Sequence, residues 1–224
     1  SPMYDGVRNA SPLQAQWLSK KIKDHLSDYH RLIDEMKQIK LPVRVLFGLE
    51  VCYTPEAEPF LKEILSQFPY DFLVGSIHSI DGILYDMPFS KELLWDVQEA
   101  DAIYQRYYTL LEQVITSGLF TQVAHPDTIK LFNIYPSYDL YPTFERLAKL
   151  ATAHHVKMEN NTGCHYRYHT EDIGLSDAFI TALVKEDASI ITASDAHYPD
   201  HVGNYIREAT QRIEEIRDQI SSHS

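Results

Sequence analysis

Histidine and carboxylate side chains recur at the points where strand-like segments of this chain end. The set with metal-ligand chemistry is Glu50, His78, His125, Asp195 and His197. Imidazole nitrogen and carboxylate oxygen are ligands that suit zinc, iron and manganese. Two metal ions about 3.5–4 Å apart can stabilise both the attacking and the leaving oxygen of a phosphoryl transfer. A single histidine after a strand is more often structural, but the recurrence favours a centre with more than one metal ion.

The last members of the set lie in the segment TASDAHYPDHVG, residues 192–203. Asp195 and His197 follow an apolar run that predicts a buried strand. They suit three interpretations: metal ligands, a catalytic pair, or polar residues of a loop. Because α/β enzymes keep their chemistry at the carboxyl ends of strands, Asp195 and His197 join Glu50 as predicted catalytic residues.

A second group with possible function is the segment GCHYRYH, residues 163–169, which we predict to be a loop. It contains His165 and Arg167, which could bind an anionic substrate such as a phosphate ester. A solvated loop with no ligand is the alternative. We predict Arg167 and His165 as substrate-binding residues.

Strand-like and helical segments alternate along the chain. Apolar runs predict strands at 43–47, 71–75, 120–124, 156–159 and 188–193. Spacings of three and four between apolar residues predict helices at 13–39, 55–68, 97–117, 141–155, 176–186 and 204–220. The alternation indicates one α/β domain, 1–224, with parallel strands. A barrel is favoured over an open sheet, because in a barrel all strand ends converge on one mouth.

Composition excludes several classes of protein. The 224 residues carry a formal net charge of −12, which disfavours binding to nucleic acid. No apolar run of about 18 residues predicts a membrane span. Two well-separated cysteines, Cys52 and Cys164, argue against a disulfide framework and are consistent with a cytoplasmic location.

Five segments together resemble the PHP superfamily, named for polymerase and histidinol phosphatase, and within it the histidinol-phosphate phosphatases. They are FGLEV (47–51), FLVGSIHSIDG (72–82), LFTQVAHPDTIKLF (119–132), KMENNTG (157–163) and ITASDAHYPDHVG (191–203). The resemblance implies a distorted (β/α)7 barrel with two or three divalent metal ions at its mouth. Glu50 would bridge two metals, and His78 and His125 would complete one site. Asp195 would ligate a second metal and His197 a third.

The resemblance also implies the reaction. A metal-bridging hydroxide would attack the phosphorus of a small-molecule phosphate ester, in this branch L-histidinol phosphate, in histidine biosynthesis. A PHP phosphoesterase with another substrate is the first alternative. A non-catalytic PHP-like module that binds a metal or a partner protein is the second.

The sequence departs from the family pattern in two places. The His-x-His element of the first strand, and two further histidines, are not among the 224 residues. We therefore expect the first strands of the barrel, with four ligands, to precede Ser1. The alternatives are that this segment has been cleaved or deleted, or that the chain is a degenerate homologue that cannot hold three metals. The basic residue that usually follows the glycine of the ENNTG element is shifted to Arg167, which affects the expected substrate more than the expected reaction.

Overall fold

The computed structural model describes residues 4–21 and 25–222 and contains a five-stranded parallel sheet. Its strands are β1 (Gly48–Cys52), β2 (Phe72–Ser76), β5 (Gln122–Val123), β6 (Lys157–Asn161) and β7 (Ile190–Ala193), and they lie side by side in chain order. A hairpin of β3 (Ser79–Ile80) and β4 (Ile83–Leu84) follows β2. The order predicted from the alternating segments is confirmed.

Helices connect the strands and cover the sheet. They are α1 (Asp5–Ala10), α2 (Pro12–Lys21), α3 (Leu26–Lys37), α4 (Glu58–Leu65), α5 (Ala100–Thr116), α6 (Tyr141–His154), α7 (Gly163–Tyr168), α8 (Asp177–Lys185) and α9 (Ile206–Ser222). Short 3-10 turns occupy Pro55–Ala57, Thr128–Phe132 and Pro199–His201, and a π-helical turn occupies Lys91–Trp95. Helices α5, α6 and α8 pack against one another and place their apolar faces in the main core.

Burial follows the apolar pattern of the sequence. On α5 the side chains of Ile103, Tyr107 and Leu111 are fully buried, at the spacing of four that one helical face requires. Met158 of β6 and Val123 of β5 are also fully buried and lie under these helices. This packing fixes the strands whose carboxyl ends carry the candidate site.

Three predicted elements differ from the structure. The helix predicted at 13–39 is two helices, α2 and α3, because the backbone of His25 is extended before α3 begins. The strand predicted at 43–47 begins only at Gly48, where the backbone pairs with β2. The loop predicted at 163–169 is mostly the helix α7, whose first amide donates to the side-chain oxygen of Asn161 at 2.7 Å.

Helices α1 and α2 form a small separate unit with the hairpin and the residues that follow it to Ser90, which we call the helix–hairpin unit. Its own apolar cluster consists of Val7, Leu18 and Leu84. Gly82 has a φ of +81° at the hairpin turn, and a β-carbon there would lie 3.2 Å from the carbonyl oxygen of Gly6. Glycine therefore allows the turn to pack closely against α1.

The sheet curves strongly. Glu50 belongs to β1 and Asp195 follows β7, the two outermost strands of the sheet, yet both line the same cavity. Strand ends that would be far apart in a flat sheet are thus brought to one mouth, as the barrel prediction requires.

Candidate metal and substrate site

Glu50, His78 and His125 form a compact group of possible metal ligands. Oε1 of Glu50 lies 3.2 Å from Nε2 of His78 and 3.2 Å from Nε2 of His125. One ligand atom from each residue lies within 4.8 Å of the others, and no other such group occurs in residues 4–21 and 25–222. The three residues come from β1, the end of β2 and the end of β5, which are neighbours in the sheet. The structure thus brings together three of the five predicted ligands.

His78 is oriented from its other side by a carboxylate that the sequence analysis did not single out. Nδ1 of His78 lies 2.8 Å from Oδ2 of Asp86, in the segment after the hairpin. An ionised carboxylate only accepts hydrogen bonds, so Nδ1 donates to Asp86, while Nε2 on the other side of the ring faces Glu50. A carboxylate behind a histidine is the usual support of a metal ligand. The hairpin of β3 and β4 lies between His78 and Asp86 in the sequence and brings them together, a contact that no local sequence pattern indicates.

Two histidines lower the pKa of the Glu50 carboxyl group. Burial by itself raises the pKa of Glu50, but hydrogen bonds from His125 and His78 outweigh it, and the net pKa lies well below the usual value. Burial by itself lowers the pKa of His78, but the hydrogen bonds to Asp86 and Glu50 raise it by more. The net pKa of His78 therefore lies above the usual value. Glu50 is therefore ionised over the whole physiological pH range, as a metal ligand must be.

His125 is the most enclosed of the three ligands. It is 8% exposed, and its φ of +28° is unusual for a residue other than glycine. Its backbone amide donates to Oε1 of Glu159 at 3.2 Å, and Asn161 donates to the same oxygen at 2.6 Å. Glu159 of β6 is buried behind His125 and holds the backbone turn that directs this imidazole.

Asp195 lies on the same cavity but is bound to an arginine. Nη2 of Arg167 donates to Oδ2 of Asp195 at 2.6 Å, and Nη1 donates to its carbonyl oxygen at 2.6 Å. The φ of Asp195 is +49°, so the chain turns sharply after β7. His197 is mostly exposed, and its Nδ1 lies 3.0 Å from the same carbonyl oxygen. Asp195, His197 and Arg167 thus form a second group on the cavity beside the Glu50 group.

His165 takes no part in either group. Its Nδ1 donates to the carbonyl oxygen of Thr170 at 2.7 Å, and its ring lies edge-on against Tyr205. It is not among the residues that line the cavity. The cation of α7 that reaches the cavity is Arg167, and substrate binding by His165 remains a prediction without support from the geometry.

The cavity has a volume of about 570 Å³ and two unlike walls. The polar wall consists of the two groups already described. The other wall comes largely from the helix–hairpin unit, with the apolar or aromatic side chains of Tyr4, Trp17, Leu18, Leu84 and Met87 and the charged side chains of Lys21 and Asp86. Burial, with Cys52 and Glu50 nearby, raises the pKa of Tyr4 to about 12, so its hydroxyl is neutral at physiological pH.

Comparison with known proteins gives the family. The PHP domain matches residues 16–163, more than half of the 224 residues. The chain belongs to the PHP domain family. The resemblance inferred from the five motifs is confirmed, and four of those motifs lie wholly within the matched region.

Two proteins with similar sequences are named probable histidinol-phosphatases. A probable histidinol-phosphatase from Deinococcus radiodurans is 28% identical over 209 residues, covering 91% of this chain and 75% of the relative. A probable histidinol-phosphatase from Schizosaccharomyces pombe is 24% identical over 210 residues, covering 86% of this chain and 66% of the relative.

A solved structure shares the fold of this PHP protein. It is a histidinol phosphate phosphatase from Lactococcus lactis, crystallised with zinc, L-histidinol and phosphate. The TM-score is 0.63 at 14% identity, over 88% of this chain and 74% of that one. The predicted α/β fold is confirmed.

The donor set of this PHP domain fits a divalent metal. Two histidine imidazoles and one carboxylate are a common ligand set for catalytic zinc, and this set leaves a coordination position open. Nδ1 of His125 is buried without a hydrogen-bond partner in the described part of the chain, so this nitrogen is not occupied by a protein group.

No helix in the described ranges has the length and apolar character needed to cross a membrane.

Proposed function

We propose that this protein is a metal-dependent phosphomonoesterase that hydrolyses L-histidinol phosphate to L-histidinol and phosphate in histidine biosynthesis. The observation that carries the proposal is the convergence of Glu50, His78 and His125 on the cavity that also contains Arg167. Membership of the PHP family and the names of its relatives support the same reaction.

The metal centre is the first part of the proposal. Glu50, His78 and His125 would hold one divalent ion, and Asp195 and His197 would take part in holding a second or third. Zinc has support from the crystallised neighbour, while iron and manganese suit the same donors. Bound ions supply Lewis acidity that stabilises the negative charge on the phosphoryl oxygens in the transition state.

Arg167 is the second part of the proposal. Burial lowers the pKa of its guanidinium, but the bond to Asp195 raises it more, so the group stays charged. Arginine has five N–H donors, and the contacts with Asp195 leave others for phosphoryl oxygens. The residue would hold the phosphate against the metal ligands, and its bond to Asp195 would fix its position.

The setting of the reaction is the third part. Both cysteines are free, which is consistent with the reducing conditions of the cytoplasm. The net charge of −12 disfavours a polyanionic partner, so a small phosphate ester is the expected substrate.

A substrate panel with metal analysis tests the proposal. The protein is loaded with zinc, manganese or iron, and L-histidinol phosphate is compared with an aryl phosphate, a sugar phosphate and a nucleotide. We expect L-histidinol phosphate to have the highest kcat/KM and at least one ion per chain to be retained. Equal turnover of the aryl phosphate would identify a phosphoesterase of other specificity. A chain that holds a metal but hydrolyses no ester would be a binding module.

A further inference from the structure

The helix–hairpin unit supplies six of the residues that line the cavity, among them Asp86, which orients His78, but none of the metal group Glu50, His78 and His125. Its cluster of Val7, Leu18 and Leu84 is separate from the main core, and Tyr4, Trp17 and Met87 pack against it. Trp17 and Met87 also line the cavity. The same side chains thus complete the small cluster and face the substrate space.

One buried amide holds this unit together. Gln14 is fully buried, and its Nε2 donates to the carbonyl oxygens of Val7 at 2.7 Å and Gly82 at 2.9 Å. Its Oε1 accepts from the amide of Leu84 at 2.7 Å. Three hydrogen bonds from one side chain therefore join α1, α2, the turn of the hairpin and β4.

A second polar contact fixes Met87 on the same wall. The hydroxyl of Ser90, fully buried, donates to the carbonyl oxygen of Leu84 at 2.6 Å and accepts from the amide of Met87 at 2.9 Å. The segment after the hairpin thus turns back, and Met87 is held beside Leu84. Buried polar groups with all their partners satisfied make a rigid support.

The chemistry of the two walls differs. The polar wall suits a phosphoryl group. On the helix–hairpin side, Trp17, Leu84 and Met87 offer the alcohol part of an ester mostly apolar surface, while Asp86 is bonded to His78 and Lys21 lies at the end of α2. Sugar hydroxyls placed against Trp17, Leu84 and Met87 would lose water without gaining partners, which is costly. A flat apolar or aromatic ring would instead gain contact area against an indole.

We propose that the helix–hairpin unit is the specificity wall of the site, with Trp17 as the residue that binds the ring of a ring-bearing phosphate monoester. Gln14 is the positioning residue that holds this wall at its distance from the metal ligands. The proposal rests on the proposed function for the presence of a phosphoryl group on the opposite wall.

A comparison of two substrates tests the role of Trp17. L-histidinol phosphate carries an imidazole ring, and O-phosphoethanolamine has the same phosphate and amine without a ring. For Trp17→Ala we expect the ratio of kcat/KM between the two substrates to fall about tenfold, mainly through KM, with Trp17→Phe restoring most of it. A ratio that stays unchanged, whether or not kcat/KM falls for both substrates, would overturn the proposal.

Gln14 is tested by a variant of similar length without hydrogen bonds. We expect Gln14→Met to raise KM for L-histidinol phosphate several-fold while the metal content and kcat stay within about twofold. A fall in kcat and metal content without a rise in KM would show that Gln14 supports the metal group instead.

Tryptophan fluorescence gives a readout that needs no turnover. We expect L-histidinol to change the emission of the metal-loaded protein, Trp95→Phe to keep the change and Trp17→Phe to abolish it. Trp95 is buried in the main core and does not line the cavity. A change that persists in Trp17→Phe, or no change in the unaltered protein, would overturn the assignment. This titration measures binding and not turnover, so it tests the role of Trp17 even if no ester is hydrolysed. A failure to hydrolyse any ester would contradict the proposed function and leave the assignment of Trp17 standing.

Discussion

At the scale of single residues, the bond between Asp86 and His78 has a measurable consequence. Nδ1 of His78 lies 2.8 Å from Asp86, whose side chain is 11% exposed. We expect Asp86→Ala to weaken binding of zinc or manganese about 10–100-fold, because the imidazole loses the partner that fixes its tautomer and orientation. Asp86→Asn, which keeps an acceptor but loses the charge, should have a smaller effect. Isothermal titration calorimetry measures both.

The same hairpin offers a control for that experiment. Asp81 is 57% exposed, pairs with Arg106 and does not line the cavity that contains the metal ligands. Asp81→Asn should leave metal affinity within about twofold, since exposed pairs contribute little. Equal metal affinity in Asp86→Ala and the unaltered protein would contradict the positioning role of Asp86.

Arg167 also has a prediction of its own. We expect Arg167→Ala to raise KM at least about tenfold and to weaken inhibition by inorganic phosphate, because a charge-assisted hydrogen bond to the phosphoryl group is lost. Exposed His169 at the end of α7 does not line the cavity, so His169→Ala serves as the control. Unchanged KM and phosphate inhibition in Arg167→Ala would mean that the guanidinium only holds Asp195.

The residue types of the site could be predicted from the sequence, but some of their partners could not. Glu50, His78 and His125 each follow an apolar strand pattern, and parallel strands bring such ends together. The bond between Arg167 and Asp195 joins a helix predicted to be a loop with a turn 28 residues later. That pairing depends on the tertiary position of α7, which no local pattern in the segment GCHYRYH reveals.

At the scale of elements, Lys130 fastens the segment between α7 and α8 to the turn after β5. Its Nζ donates to Asp127 and Asp172 at 2.7 Å each and to the carbonyl oxygen of Gly174 at 2.9 Å. Asp127 directly precedes the 3-10 turn Thr128–Phe132, a position where a carboxylate commonly caps the backbone. The structure has no capping bond there, and the carboxylate instead binds Lys130 and the amide of Ser176.

We expect Lys130→Met to lower the free energy of unfolding by roughly 3–5 kcal/mol, because it leaves the carboxylate of Asp127 buried without its cation. Burial lowers the pKa of Lys130, but Asp127 and Asp172 raise it by more, so the net pKa lies above the usual value. The stabilisation is therefore fully present below the unfolded pKa of about 10.4 and is lost only as pH rises through the folded value. Urea denaturation at neutral pH measures the loss.

An exposed lysine provides the comparison. Lys149 is 62% exposed and lies 3.8 Å from Glu186. Lys149→Met should change the free energy of unfolding by less than about 0.5 kcal/mol. A similar effect for Lys130→Met and Lys149→Met would show that the buried ion pairs do not hold the segment.

At the scale of the whole molecule, the sequence predicts the strand order because each strand is followed by a helix and the connections are short. It does not predict the hairpin unit, whose strands are two residues long. The unit is held by Gln14, which makes bonds across 68 and 70 residues of chain. A glutamine in an amphipathic helix is normally on the surface, so only the assembled fold shows that this one is buried.

The metal ligands connect three adjacent strands, and this gives the last prediction. Glu50, His78 and His125 belong to β1 and to the ends of β2 and β5, so an ion bound by all three requires the sheet to be folded. A ligand that binds only the folded state at a concentration of 100 times its Kd stabilises that state by about 2.7 kcal/mol. For a chain of this length, that corresponds to a rise in Tm of about 5–10 °C. We expect this rise on adding zinc or manganese to the metal-free protein, its loss in Glu50→Gln, and its retention in His154→Gln, which alters an exposed histidine of α6 away from the cavity. An equal rise in Glu50→Gln would place the bound ion somewhere other than on these three strands.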